Sequence, residues 1–354
     1  MLIHPHKAFD SDDPQELLGF ALEVSRTHPY ALATLVDIKG GAARSLGSHI
    51  VVAADGRYAG YVSGGCVEAA IAAEALLAIQ DRKDKLVSFG KDSRFKDIVL
   101  PCGGSITVAI HVLKDVASLQ LAVTRLSERH PAALSYDPNA ESLTHSDLVQ
   151  GTGWKDGIFI TVYHPPIRTL VSGGSFEVAR FTALMRAAEM EAVTAPDRFQ
   201  SADVKQLVDC YTAIVLMHHD VDKEMGLLKV ALESNAFYIG ALGSIRTHEK
   251  RILRLRQLGY EQSAIDRIKA PIGMFGPARH ATSLAISILA DVAIAREEHE
   301  LGVLALAVPL RDMQGATLAA LNVVVSPDRM DEATLRKDLL PLLLDAAREL
   351  RPLL

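Results

Sequence analysis

Apolar positions recur at two different periods along this chain, and the change from one to the other marks its organisation. Residues 14–24 keep Leu17, Leu18, Ala21 and Leu22 on one helical face behind Asp12-Asp13-Pro14, an N-cap followed by proline in the first turn. Residues 31–38 and 50–54 read as strands, separated by the Gly40-Gly41 turn and the loop 43–48, and the second closes at Asp55-Gly56. A strand signal at Tyr61-Val62 breaks at Ser63-Gly64-Gly65. Behind it Ile71, Ala72, Ala75, Leu76 and Ile79 repeat at helical spacing, which predicts Cys66 at a helix N-terminus. Two more strands, 85–89 and 106–112, and a helix over 118–129 follow, while the polar, turn-rich stretch 136–153 is expected to be irregular.

The diproline Pro165-Pro166 forbids helix and resists central strand pairing, so a domain boundary is expected there. Beyond it strands alternate with helices, the signature of a parallel sheet. The strands are Thr169-Leu170-Val171, a short run ending near Asp197, then 213–217 and 236–239. The helices fall at 176–189, 249–258 and around Leu284, Ile288 and Val292. In the helix 249–258, Ile252, Leu253 and Leu255 are expected inward and Lys250, Arg251, Arg254 and Arg256 on a solvated face. The pattern predicts an α/β protein in three parts. These are an N-terminal α+β domain carrying the cysteine (1–164), a Rossmann-like parallel-sheet domain (165–300), and a short β-β-α extension (301–354).

Composition narrows the function classes. An apolar share of 49% over 354 residues supports real cores, and a net charge of −6 argues against a general nucleic-acid binder. Three cysteines are too few and too odd for a disulfide framework, which fits a reducing cytoplasm. Neither a signal peptide nor a stretch of membrane-spanning length is read, so no membrane partner is expected.

The candidate chemistry gathers where glycines flank thiols. Cys66 follows Gly64-Gly65, and a helix N-terminus favours negative charge on its sulfur; a buried small residue in a tight turn is the equal alternative. Cys102-Gly103-Gly104 offers a second thiol 36 positions on, and the two suit backbone amides and sulfur converging on an anionic, sulfur-rich ligand. Arg44 supplies a fixed cation in a loop of small residues, and Glu68 lies in the first turn behind Cys66. In the second domain, Ser172-Gly173-Gly174-Ser175 with Asp197 has the layout of a dinucleotide loop. Ser172 replaces its first glycine, however, and Glu177 its third small residue. His219 and Asp220 end one strand. Gly243, Ser244 and Arg246 end the next at a helix start able to hold phosphate.

In order along residues 15–297, these pieces resemble the XdhC/CoxI-type xanthine dehydrogenase accessory proteins: the 43–48 loop, Ser63-Gly64-Gly65-Cys66-Val67-Glu68, Cys102-Gly103-Gly104, His219-Asp220, Gly240-Ala241-Leu242-Gly243-Ser244 with Arg246, and Pro271-Ile272-Gly273. The resemblance implies binding of molybdenum cofactor (molybdopterin), support of its sulfuration, and delivery to a xanthine dehydrogenase-type molybdoenzyme. It makes Cys66 the first choice for contact with the metal and for sulfur relay, and Cys102 the second. It also implies a cysteine desulfurase as a further partner and a homodimer. A cofactor-handling chaperone is expected rather than a turnover enzyme. The alternatives are an NAD(P)-dependent oxidoreductase using the second domain and a ligand sensor built on the tail, since residues 302–354 resemble the end of an IclR-type effector-binding domain.

Overall fold

The computed structural model describes residues 3–90, 93, 95, 100, 103–147, 151–188, 190–195, 204–275, 278, 280–297, 304–311, 317–325 and 334–351. The chain forms two compact units that meet in sequence at the diproline, Met1–Pro165 and Pro166–Leu354.

The first unit is built on six strands, His6–Phe9 (β1), Tyr30–Lys39 (β2), His49–Ala53 (β3), Arg57–Gly60 (β4), Lys85–Gly90 (β5) and Ser105–Val112 (β6), in the order β1-β4-β3-β2-β6-β5. Only the β1–β4 pair is parallel. Because side chains alternate across a sheet, β2 serves two cores at once. Ala31, Ala33 and Leu35 pack with Ile71, Ala72, Ala75 and Ala78 of the helix Glu68–Asp81. Leu32 on the other face packs with Leu17, Leu18 and Ala21 of the helix Pro14–Val24 and Leu119 and Ala122 of the helix Ala117–Ser127. In chain order these helices are α1 (Pro14–Val24), α2 (Glu68–Asp81) and α3 (Ala117–Ser127).

The stretch expected to be irregular contributes to a second sheet. Ala132–Asp137 (β7), Ser142–His145 (β8), Gly153–Lys155 (β9) and Ile158–Tyr163 (β10) form an antiparallel sheet ordered β8-β7-β10-β9. Strands β8 and β9 are short and partly exposed, so their apolar alternation is faint. The turn between β7 and β8 is held by Asp137, which accepts from the Asn139 and Ala140 amides. Tyr136 and Phe159 from this sheet bury against Val36 and Ala109 of the first.

The second unit is built on a sheet of five strands, Arg168–Gly173 (β11), Glu191–Thr194 (β12), Thr212–Met217 (β13), Tyr238–Ala241 (β14) and Ile268–Lys269 (β15), ordered β12-β11-β13-β14-β15 and all parallel. Around them run helices Ser175–Ala187 (α4), Val221–Leu232 (α5), Ile245–Gln257 (α6), Gln262–Ile265 (α7) and Ala281–Glu297 (α8). Val178 and Phe181 of α4 and Ala285 and Ile288 of α8 cover one face of the sheet, and Leu227, Leu228 and Leu255 of α5 and α6 the other. This is a doubly wound, Rossmann-like unit. Its strand order reverses between β11 and β13, and ligands of such sheets lie at the carboxyl ends of the strands there.

Helix α6 is turned differently from its expected face. Arg251 is fully buried and Leu253 is 59% exposed. The cause is a carboxylate on α5: the Arg251 guanidinium pairs with Glu224, also fully buried, and donates to the Leu242 carbonyl at 2.9 Å. A buried charge is tolerable only with such partners.

In the tail, Leu304–Arg311 (β16) and Thr317–Val325 (β17) pair antiparallel, and after a π-helical turn at Leu335–Leu339 the helix Leu340–Leu350 (α9) lies against them. Among the described residues no helix is long and apolar enough to cross a membrane.

Candidate functional site

Helix α2 begins at Glu68, and Cys66 stands in the turn just before it. Two features shape that turn. Gly65 takes φ +102°, a conformation that side-chain-bearing residues rarely adopt. Glu68 then folds its carboxylate back into the turn, where it is 2% exposed. It accepts from the amides of Val62 (3.2 Å), Ser63 (2.8 Å) and Val67 (3.1 Å) and from the Ser63 hydroxyl, 2.9 Å from either oxygen. Four donors thus converge on one buried anion, which locks the turn from within.

That lock fixes the surroundings of the thiol. The Ser63 hydroxyl has one proton and gives it to Glu68, so its lone pairs accept from the Gly65 amide at 3.3 Å and face Cys66 Sγ at 3.5 Å. Cys66 is exposed. Its side chain borders a hollow of about 390 Å³ lined also by Ala42, Ala43, Val62, Ser63, Gly64, Leu100 and Ile106. That volume falls in the range that holds a small organic ligand, roughly 300–1,000 Å³. A soft sulfur ligand on an apolar hollow suits a planar organic group carrying a soft metal.

Glycines let three backbone segments close up beside the hollow. A side chain at Gly104 would lie 2.5 Å from the Lys39 carbonyl oxygen and 2.6 Å from that of Gly41, and one at Gly90 would lie 2.4 Å from the Gly104 carbonyl oxygen. Gly104 therefore serves a close approach that places Ala42 and Ala43 in the wall. Gly103 is exposed, and its amide donates to the Leu100 carbonyl at 2.9 Å. Arg44, expected as a fixed cation, is paired with Asp12, and its guanidinium carbon lies 5.4 Å from the centroid of the Tyr61 ring. Cys102 lies outside the described residues, as does Asp197.

The first unit thus brings Arg44, Gly64, Gly65, Cys66, Glu68 and Gly104 around one turn and its hollow. The sequence reading missed Ser63, which stands three places before Cys66 in the same glycine-rich run. Lys7 and Tyr61 were missed for want of a local signal, since Lys7 arrives on β1 from 54 positions away and donates to the Tyr61 hydroxyl at 2.8 Å.

The second unit holds a separate group. Gly174 caps α4 at the end of β11, and a side chain there would lie 2.8 Å from a Glu177 carboxylate oxygen. His219 is exposed and 4.0 Å from the same carboxylate. Negative charge therefore fronts the loop where a diphosphate would bind. His218 turns inward instead, its Nε2 2.8 Å from the Ser172 hydroxyl. Asp220 and Ser244 act as caps: Asp220 accepts from the Asp222 amide at 3.0 Å at the start of α5, and Ser244 from the Thr247 amide at 3.3 Å at the start of α6. Gly243 lies tight against Thr247, and Arg246 is exposed.

Comparison with known proteins places these features in a family. A family model for the XdhC Rossmann domain matches residues 104–292, one for the XdhC and CoxI family residues 24–90, and one for the C-terminal part of bacterial IclR transcriptional regulators residues 281–351. The molybdenum cofactor insertion chaperone PaoD of Escherichia coli is 43% identical over 297 residues, covering 84% of this chain and 93% of PaoD. The tail is 46% identical over 63 residues to the p-hydroxybenzoate hydroxylase transcriptional activator of Acinetobacter baylyi, 18% of this chain and 23% of that protein. The crystal structure of a xanthine dehydrogenase from Bacillus halodurans shares the fold, with a TM-score of 0.64 at 20% identity over 81% of this chain and 97% of that one. The chain belongs to the XdhC and CoxI family.

Proposed function

We propose that this chain is a carrier of molybdenum cofactor, which it binds as cargo at the Cys66 hollow and passes to a molybdoenzyme. One observation carries the reading: the Cys66 thiol is exposed beside an apolar hollow of about 390 Å³, in a turn locked by Glu68. The 43% identity to PaoD across 93% of that insertion chaperone supports the same cargo. In this reading the Cys66 sulfur contacts the metal, Ser63 and Glu68 hold that sulfur in place, and the apolar wall shields the ring system from water. Cys102 is the second sulfur donor proposed. The proposal extends to a xanthine dehydrogenase-type client, support of sulfuration with a cysteine desulfurase as sulfur source, a homodimer, and a cytoplasmic setting. Gly174, His219, Asp220, Gly243, Ser244 and Arg246 are proposed as a second binding surface on the other unit. A nicotinamide-dependent oxidoreductase is the competing reading, and the Glu177 carboxylate beside Gly174 works against its diphosphate.

The test is the content of protein purified from a molybdenum-replete host. Metal analysis and pterin fluorescence should find both components in near equal amount in the wild type, and Cys66→Ala should lose most of each. Absence of pterin from the wild type, or equal content in Cys66→Ala, overturns the reading.

A further inference from the structure

We propose that Lys7, Arg44 and Tyr61 form an anion subsite at the mouth of the Cys66 hollow that takes the phosphate of a phosphomonoester cargo, and that Asp10 and Asp12 fill this subsite until cargo arrives. The inference rests on the cargo reading above and adds where the charged end of that cargo is held.

The hollow itself poses the problem. Among the described residues its lining is Ala42, Ala43, Val62, Leu100, Ile106, Gly64, Ser63 and Cys66, with no charged side chain among these. A phosphate group cannot enter such a space without a compensating cation. A cation able to meet this need stands one residue outside the wall. Arg44 follows Ala43, and Tyr61 precedes Val62. The two segments touch where a side chain at Gly64 would lie 3.8 Å from the Ala43 methyl. Arg44 and Lys7 share the Tyr61 ring, at 5.4 and 4.5 Å from its centroid. Two cations thus share one ring whose chain neighbour, Val62, lines the hollow.

Each cation is at present satisfied by a carboxylate from the loop between β1 and α1. Lys7 donates to Asp10 at 2.7 Å, Tyr61 also donates to Asp10, and Arg44 donates to Asp12. These carboxylates are 72% and 57% exposed, so their pairs are easily exchanged. A phosphate offers more acceptor oxygens and more charge than either, and the arginine fork matches it bidentately. The exchange does not undo the neighbouring helix, because α1 is capped by Asp13 rather than by Asp10 or Asp12. The loop therefore acts as an internal competitor whose release depends on an incoming anion.

Two measurements on full-length protein test this. In the first, cargo-loaded wild type and variants are dialysed at low phosphate and the loss of molybdenum and pterin is followed. Arg44→Ala should lose cargo about tenfold faster, Arg44→Lys should recover part of the difference, and Asp12→Asn should lose it more slowly than wild type. In the second, inorganic phosphate is titrated into cargo-free protein, where Asp12→Asn should bind more tightly than wild type and Arg44→Ala should show no binding. Arg44→Ala and Asp12→Asn that match wild type in both, with cargo still lost in Cys66→Ala, overturn the subsite and leave the carrier reading standing. Phosphate binding with this order of variants, in a wild type that never carries pterin, supports the subsite and overturns the carrier reading.

Discussion

Glu68 does for the Cys66 turn what a capping residue does for a helix, but from inside the fold, taking three amide protons and one hydroxyl proton on a carboxylate that is 2% exposed. Glu68→Ala would strand those donors, and the first unit should lose about 2–4 kcal/mol. Glu68→Gln should lose less, since one oxygen survives while the new amide group faces donors. Trp154 is the single tryptophan and lies in the first unit with its Nε1 donating to the Val36 carbonyl at 2.9 Å, so its fluorescence in a urea titration reports this unit. An alanine variant with an unchanged midpoint would mean that water replaces the carboxylate. The Gly64-Gly65-Cys66 turn was legible in sequence because its cues are local: paired glycines before an alanine-rich helical repeat. His49 was not. It is held by Thr34 and by Tyr163, the latter 114 positions away, and no local pattern announces a partner at that distance.

Among the elements, the strands β11 to β14 and the helices α4, α6 and α8 were legible in order and type, since long apolar runs bounded by glycine loops have few other readings, whereas helix α5, the short α7 and the two-residue strand β15 were not read. The thin strands β8 and β9 were hidden by their polar outer faces, and α6 was rotated by one buried ion pair. That pair can be tested as a unit. Both Arg251 and Glu224 are fully buried, and burial pushes the Glu224 carboxyl above its ordinary range against the opposing pull of Arg251. Arg251→Ala leaves a carboxylate without its cation and should cost the second unit about 3–5 kcal/mol, whereas Arg251→Met with Glu224→Leu should recover most of the loss. Circular dichroism during urea unfolding reads both, and a double variant no better than the single one would show that the Leu242 carbonyl, not Glu224, depends most on Arg251.

Over the whole molecule, acid should weaken the unit that carries Cys66 through a buried histidine. His49 is 3% exposed, and burial brings its pKa down to about 3, while an unfolded histidine titrates near 6.5. Below pH 6.5 the unfolded chain therefore takes up a proton that the folded one refuses. The stabilising effect of the neutral ring is complete above that pH and fades as pH falls toward about 3, at up to roughly 1.4 kcal/mol per pH unit. Asp84 acts in a lower window. His111, the Val112 amide and Tyr136 hydrogen-bond its carboxylate and hold it below the usual aspartate range against the opposing effect of burial, so its contribution is lost only below pH about 4. In the second unit His248 shares the sign of His49, lowered by its burial and by the charge of Arg251. Between pH 7.5 and 5.0 the Trp154 transition should lose about 2 kcal/mol through His49, and His49→Gln, which does not titrate, should remove most of that dependence while lowering stability at both pH values. A tryptophan transition as pH-sensitive in His49→Gln as in the wild type would locate the acid response elsewhere in the first unit.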